Sequence, residues 1–155
     1  MSVIVKQCTV AEIESASNFP ALINEYSEYA IEGMPEPLVK METYRVLERA
    51  GLQYVLGAFL GNTLVGFMSV LVSCIPHYGI IGTYSESLFV AKEHRKTGAG
   101  LKLIHAAESM AKNAGAPGLI ISAPTHGILA EVLPEIGYTD THHLFFRRLD
   151  NASYH

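Results

Sequence analysis

Six residues, Arg95-Lys96-Thr97-Gly98-Ala99-Gly100, constrain this chain more than any other segment. They follow a strand-like run over 84–91 and lead into an Ala/Leu-rich, helix-like run over 101–114. A strand, a short glycine-containing turn and a helix make an anion site. Free backbone N–H groups at the helix start point outward, and the helix dipole favours negative charge there. Glycine at 98 and 100 lets a phosphate approach the backbone without meeting a Cβ. Two better-known phosphate loops are excluded. A P-loop needs Lys-Ser/Thr directly after its last Gly, whereas Gly100 is followed by Leu101-Lys102-Leu103. A dinucleotide fingerprint needs Gly in place of Leu103 and an acidic residue beyond a second strand, and neither is present.

The run Glu86-Ser-Leu-Phe-Val90-Ala-Lys-Glu-His-Arg95-Lys-Thr-Gly98-Ala-Gly100-Leu101 resembles, in residues and spacing, the central motif of the GNAT N-acetyltransferase superfamily. The resemblance extends downstream. Gly118-Leu-Ile-Ile-Ser-Ala123 is similar to the next family strand, and 129–133 with Ile136-Gly137-Tyr138 to the last helix and its Gly-Phe/Tyr ending. It implies one domain over 1–155 with the GNAT fold. That fold is α/β (α+β), a mixed, mostly antiparallel twisted sheet of about six to seven strands flanked by about four helices. It also implies acetyl-coenzyme A as cofactor, its pyrophosphate on the loop Arg95, Lys96, Thr97, Gly98, Ala99, Gly100 and Leu101. Val90 and His126 complete that set, His126 standing close to where relatives carry an Asn facing the cofactor. About the acceptor the motif is close to silent.

Bulk properties fit this picture. At 155 residues the chain makes one domain with a real core, and 49% hydrophobic content suits a mostly buried sheet. No apolar run reaches the roughly 18 residues that span a bilayer. Residues 1–6 read as a first strand rather than a secretory signal. Only Cys8 and Cys74 are present, which points to a reducing cytoplasm and away from a disulfide framework. A net charge of −4 and no basic run longer than two residues argue against nucleic acid as partner. A homodimer is left open.

Along the chain, 3–8 reads as a strand, and Thr9-x-x-Glu12 as a capping box opening a helix through Ser17. Pro20 suits the first turn of a second helix with Leu22, Tyr26 and Tyr29 on one face. A third helix is expected over 38–50, stopped by Gly51. Strands are expected over 54–60 and 63–73, joined at Gly61-Asn62, then over 80–91 after the loop 74–79. The segment 118–123 reads as a strand buried on both faces, Thr125 as the cap of the last helix, Pro134 as its end, and 138–149 as the closing strand.

Acetyl transfer to an amine needs a proton acceptor, a stabilised oxyanion and a departing thiolate. Strict alternation puts Tyr84, Glu86, Leu88 and Val90 on one strand face, so Glu86 lies two side chains before the strand end. A carboxylate there suits a general base, with Tyr84 one alternation earlier; otherwise Glu86 pairs with an Arg or orients substrate. The resemblance implies direct attack through a tetrahedral intermediate, with the Val90 N–H as oxyanion donor, a role that depends on backbone geometry such as a strand bulge. One departure from the family stands out: Leu133 occupies the place where relatives often carry a Tyr that protonates the thiolate. A thiol pKa near about 8.5 makes a dedicated acid dispensable. Glu25, Glu28 and Glu32, at i, i+3 and i+7, form an acidic stripe that either meets a cationic acceptor or is simply solvated. His77 and Tyr78 are further candidates for the acceptor cleft. Seven histidines supply no zinc spacing, and no metal is expected.

The sequence thus predicts an acetyltransferase acting on a small-molecule amine or a protein amino group. The alternatives are a non-catalytic acyl-coenzyme A-binding module and transfer of another acyl group or to another acceptor.

Overall fold

The computed structural model describes residues 1–37 and 40–149. Five strands form one sheet in chain order: β1 (Ile4–Cys8), β2 (Gln53–Leu60), β3 (Thr63–Ile75), β4 (Ile80–Val90) and β5 (Leu119–Ile120). The first four are antiparallel neighbours, and β5 lies parallel to β4. Helices α1 (Val10–Glu14), α2 (Phe19–Ser27) and α3 (Met41–Arg49) precede β2; α4 (Ala99–Asn113) and α5 (Ile128–Glu135) flank β5. A 3-10 helix, Lys92–Thr97, joins β4 to α4. The expected mixed, mostly antiparallel sheet flanked by helices is present.

Two apolar layers sandwich the sheet, as alternation on its strands dictates. Leu56, Ala58, Val65, Met68 and Val70 meet Ala99, Leu103 and Ala107 of α4 on one side. Val55, Leu64, Phe67 and Phe89 meet Val10, Ile13 and Leu22 of α1 and α2 on the other.

Glycine at 66 leaves room for the backbone of the neighbouring strand. A Cβ on Gly66 would stand 2.6 Å from the Phe89 carbonyl oxygen and 3.0 Å from Val90 Cγ2. Because the first of these atoms is backbone, relief requires β4 to move. Gly66→Ala should therefore lose about 1–3 kcal/mol, the range for an overpacked core. Thermal unfolding checks this, and an unchanged midpoint would refute the close approach.

Several elements differ from expectation. The capping box at Thr9 and Glu12 forms, but α1 stops at Glu14 rather than Ser17. The third helix was expected to open at 38, where two positions lie outside the described residues; α3 is described from Met41. Strand β3 runs on to Ile75. The 118–123 run supplies only the two paired residues of β5, and Ile120 is half exposed rather than buried on both faces. Gly127, not Thr125, caps α5, and Pro134 lies one residue before its end. Residues 138–149 form no strand among the described residues. A strand needs a paired neighbour, and two residues of β5 give it almost none.

Candidate active site

Strand β4 carries the polar run Ser85-Glu86-Ser87, where its register with β3 slips. Ser69 pairs with Ser87 but Val70 with Ser85, leaving Glu86 as the extra residue of a β-bulge. The bulge changes which residues share a face. Leu88 and Val90 pack in the α4 layer, whereas Phe89 packs in the α1–α3 layer. Glu86 faces the α1–α3 side, where its Oε1 accepts a hydrogen bond of 2.8 Å from the Tyr44 hydroxyl on α3. Strict alternation, which put Glu86 with Leu88 and Val90, is therefore corrected. Tyr84, opposite Leu71 before the slip, stays on the side of Glu86. Tyr26 joins the group from α2. Burial chiefly, and then the Glu86 charge, raise the pKa values of both Tyr26 and Tyr44 above the ordinary phenol value.

Beyond Tyr84, β4 loses its outer neighbour. Only Thr83–Leu119 and Tyr84–Ile120 pair. The Ser122 N–H next turns to the Ser85 hydroxyl, at 3.0 Å, instead of a strand carbonyl. The two strands thus part towards their C-terminal ends. The Ala91 N–H donates to the Val65 carbonyl at 2.9 Å, so the N–H and C=O of Val90, one residue earlier, point away from β3. Its carbonyl accepts from Arg95 Nε at 3.1 Å. The Val90 N–H therefore faces the open edge by ordinary antiparallel register; the bulge lies upstream at Glu86.

The glycine loop sits at this same end. Gly98 is left-handed, φ +83°, and precedes the first residue of α4. A Cβ there would meet nothing within 4 Å, so its backbone is open to an approaching group. Thr97 Oγ1 accepts from the Ala99 N–H at 3.3 Å, and the Lys102 N–H bonds to the Gly98 carbonyl. The Gly100 and Leu101 N–H groups have no protein acceptor among the described residues. Two adjacent unpaired amides at the start of a four-turn helix suit a phosphate.

Other predicted site residues are more scattered. Arg95 lies with its guanidinium 3.0 Å from the Tyr29 hydroxyl and over the Tyr29 and Phe89 rings, at 5.2 and 5.8 Å. Lys96 ends in the exposed 3-10 turn. His126 is left-handed, φ 65°, in the turn that opens α5. The acidic stripe is not a helix face: α2 ends at Ser27, so only Glu25 is within it, Glu28 is its C-cap, and Glu32 lies beyond. Glu25 accepts the Lys92 N–H at 2.8 Å and so ties α2 to the loop. His77 and Tyr78 occupy the β3–β4 hairpin turn, at the end of β4 away from the loop. Six strand residues separate that turn from Glu86, roughly 20 Å. Leu133 is buried in the α5 contact.

Sequence reasoning missed Tyr44, which lies 42 residues from its partner. It also missed the bulge, although three successive polar residues within an apolar strand were a signal of broken alternation.

A parting parallel strand pair, a glycine-started helix at the same end and a carboxylate on the bulge beside them bring an anion-binding start of a helix next to a polar side chain. The chain belongs to the acetyltransferase (GNAT) family, whose model matches residues 19–127. No curated protein matches it. Solved structures with the same fold include a ribosomal-protein-alanine N-acetyltransferase from Brucella melitensis biovar Abortus 2308. It is 18% identical, with TM-score 0.73, over 96% of this chain and 100% of that one. An aminoglycoside acetyltransferase from an uncultured soil metagenomic sample is also 18% identical, with TM-score 0.70, over 94% and 95%. A transcriptional regulator from Bacillus halodurans C-125 is 15% identical, with TM-score 0.74, over 95% and 99%.

Among the described residues no helix is long and apolar enough to cross a membrane.

Proposed function

We propose that the protein transfers an acetyl group from acetyl-coenzyme A to a primary amine, carried by a small molecule or a protein. The observation that carries this reading is the outer edge of β4 beyond Tyr84, unpaired among the described residues, which bears the Val90 N–H and leads to the Gly100 and Leu101 amides, likewise without a protein acceptor among them. The residues present fit the cofactor: the amides and the helix dipole suit its pyrophosphate, and Gly98 leaves the approach clear. When bound, acetyl-coenzyme A supplies a thioester: the neutral amine forms a C–N bond to its carbonyl, the C–S bond breaks, and the thiol leaves with the second nitrogen proton.

The chain's own groups handle the proton and the charge. Glu86 accepts a proton from the ammonium, directly or through a water, and returns it to solvent after turnover. The Val90 N–H donates to the oxygen on which negative charge develops. With Leu133 buried where a Tyr would stand, no side-chain acid is assigned, and the proton of the attacking nitrogen serves instead.

Acceptor classes are suggested by what the structural relatives are named for, a ribosomal-protein alanine and aminoglycosides. Thiol release from acetyl-coenzyme A is the test, across polyamines, aminoglycosides, amino acids and lysine or N-terminal alanine peptides. At least one should support multiple turnovers. Tight cofactor binding with no thiol release for any amine would instead favour a non-catalytic acyl-coenzyme A-binding module.

A further inference from the structure

We infer that Tyr44 is a positioning residue for acetyl transfer, holding the Glu86 carboxylate in the orientation that accepts the amine's proton. This rests on the assignment of Glu86 as the base. Glu86 is exposed at the tip of a bulge, and the pairing of its own strand does not fix its side chain. The Tyr44 hydroxyl occupies Oε1 at 2.8 Å. The other carboxylate oxygen is left for the incoming ammonium, and rotation about the last side-chain bond is restrained.

Tyr44 is suited to this because it stands on a fixed support. Its helix, α3, is tied to both ends of α1. Arg45 pairs with Glu14, and the Glu48 carboxylate accepts the Val10 N–H at 3.2 and 3.3 Å. Arg45 and Arg49 also bracket Glu42, each at 3.2 Å. The Tyr44 ring is half-buried against the α1–α3 layer, beside a cavity of about 20 Å³ that Phe19, Ile23 and Met41 also line. Burial first, and then the neighbouring carboxylate charge, hold its phenol protonated far above the ordinary range. Its hydroxyl is the donor and the Glu86 carboxylate the acceptor.

A double-mutant cycle tests the assignment, using the panel amine that the parent turns over fastest. Tyr44→Phe keeps the ring and removes only the hydroxyl. A carboxylate that loses its orientation should lower kcat about 10-fold, up to about 10²-fold, with the KM for acetyl-coenzyme A unchanged. In a Glu86→Gln background the same substitution should cost almost nothing further, because the hydroxyl acts through the carboxylate. Equal loss in both backgrounds would overturn the inference and make Tyr44 merely structural. So would weaker acetyl-coenzyme A binding by calorimetry or an altered far-ultraviolet circular dichroism spectrum. A Tyr44→Phe protein as fast as the parent, with Glu86→Gln slow, would remove Tyr44 alone. A Glu86→Gln protein as fast as the parent would remove the base assignment, and the positioning role with it.

Discussion

Glu86→Gln should lower turnover about 10²–10⁴-fold, the contribution of a positioned general base. Gln keeps the shape of the side chain and can still accept from the Tyr44 hydroxyl, so the bulge and the α3 contact should survive. What disappears is the carboxylate that takes the ammonium proton. Affinity for acetyl-coenzyme A should hardly change, because Glu86 faces the α1–α3 side and the free α4 amides lie at the end of the parting strands. Raising the pH supplies neutral amine from solution. The variant should therefore recover part of its activity as pH approaches the amine's own pKa, while the parent gains less. Near-full turnover at neutral pH in the variant would return Glu86 to a substrate-orienting or purely structural role.

How much of this was legible in the sequence follows from how local each cause is. The glycine loop was legible because its geometry is set by its own residues: Gly98 adopts a left-handed φ that other residues rarely tolerate, and α4 follows at once. The strands up to β4 were legible from apolar alternation and the Gly61-Asn62 turn. The face of Glu86 was not, because a bulge is a property of two strands: Ser85 and Ser87 must find Val70 and Ser69 before Glu86 is seen to be extra. Tyr44 was hidden for the same reason, its partner being supplied by the packing of α3 on the sheet. The acidic stripe failed through a boundary: spacing puts Glu25, Glu28 and Glu32 on one face only if the helix continues, and α2 ends at Ser27. Residues 138–149 carry an apolar pattern that reads as a strand, but pattern alone supplies no neighbour to pair with.

Gly100→Val should weaken acetyl-coenzyme A binding by about 10²-fold or more. Among the described residues the Gly100 and Leu101 N–H groups lack protein acceptors, and hydrogen bonds from them to a pyrophosphate would each contribute roughly 1.5–3 kcal/mol. Losing both amounts to about two or more decades in Kd. A Val side chain at 100 stands beside both donors and keeps the phosphate away from them. The substitution is a usable probe because the first atom it adds is accommodated. A Cβ at 100 would meet only Val90 Cγ2, at 3.8 Å, an ordinary van der Waals distance. Gly98 would serve less well, since at φ +83° any other residue strains the backbone and confuses stability with binding. Gly100→Ala, with one side-chain carbon in place of three, should fall between parent and Val. Calorimetry of acetyl-coenzyme A and of coenzyme A separates the pyrophosphate from the acetyl group: both ligands should weaken alike, because the loop meets what they share. Unchanged affinity for both in a folded Gly100→Val protein would remove the pyrophosphate from the start of α4. The β4 edge would then have to hold the cofactor without those amides.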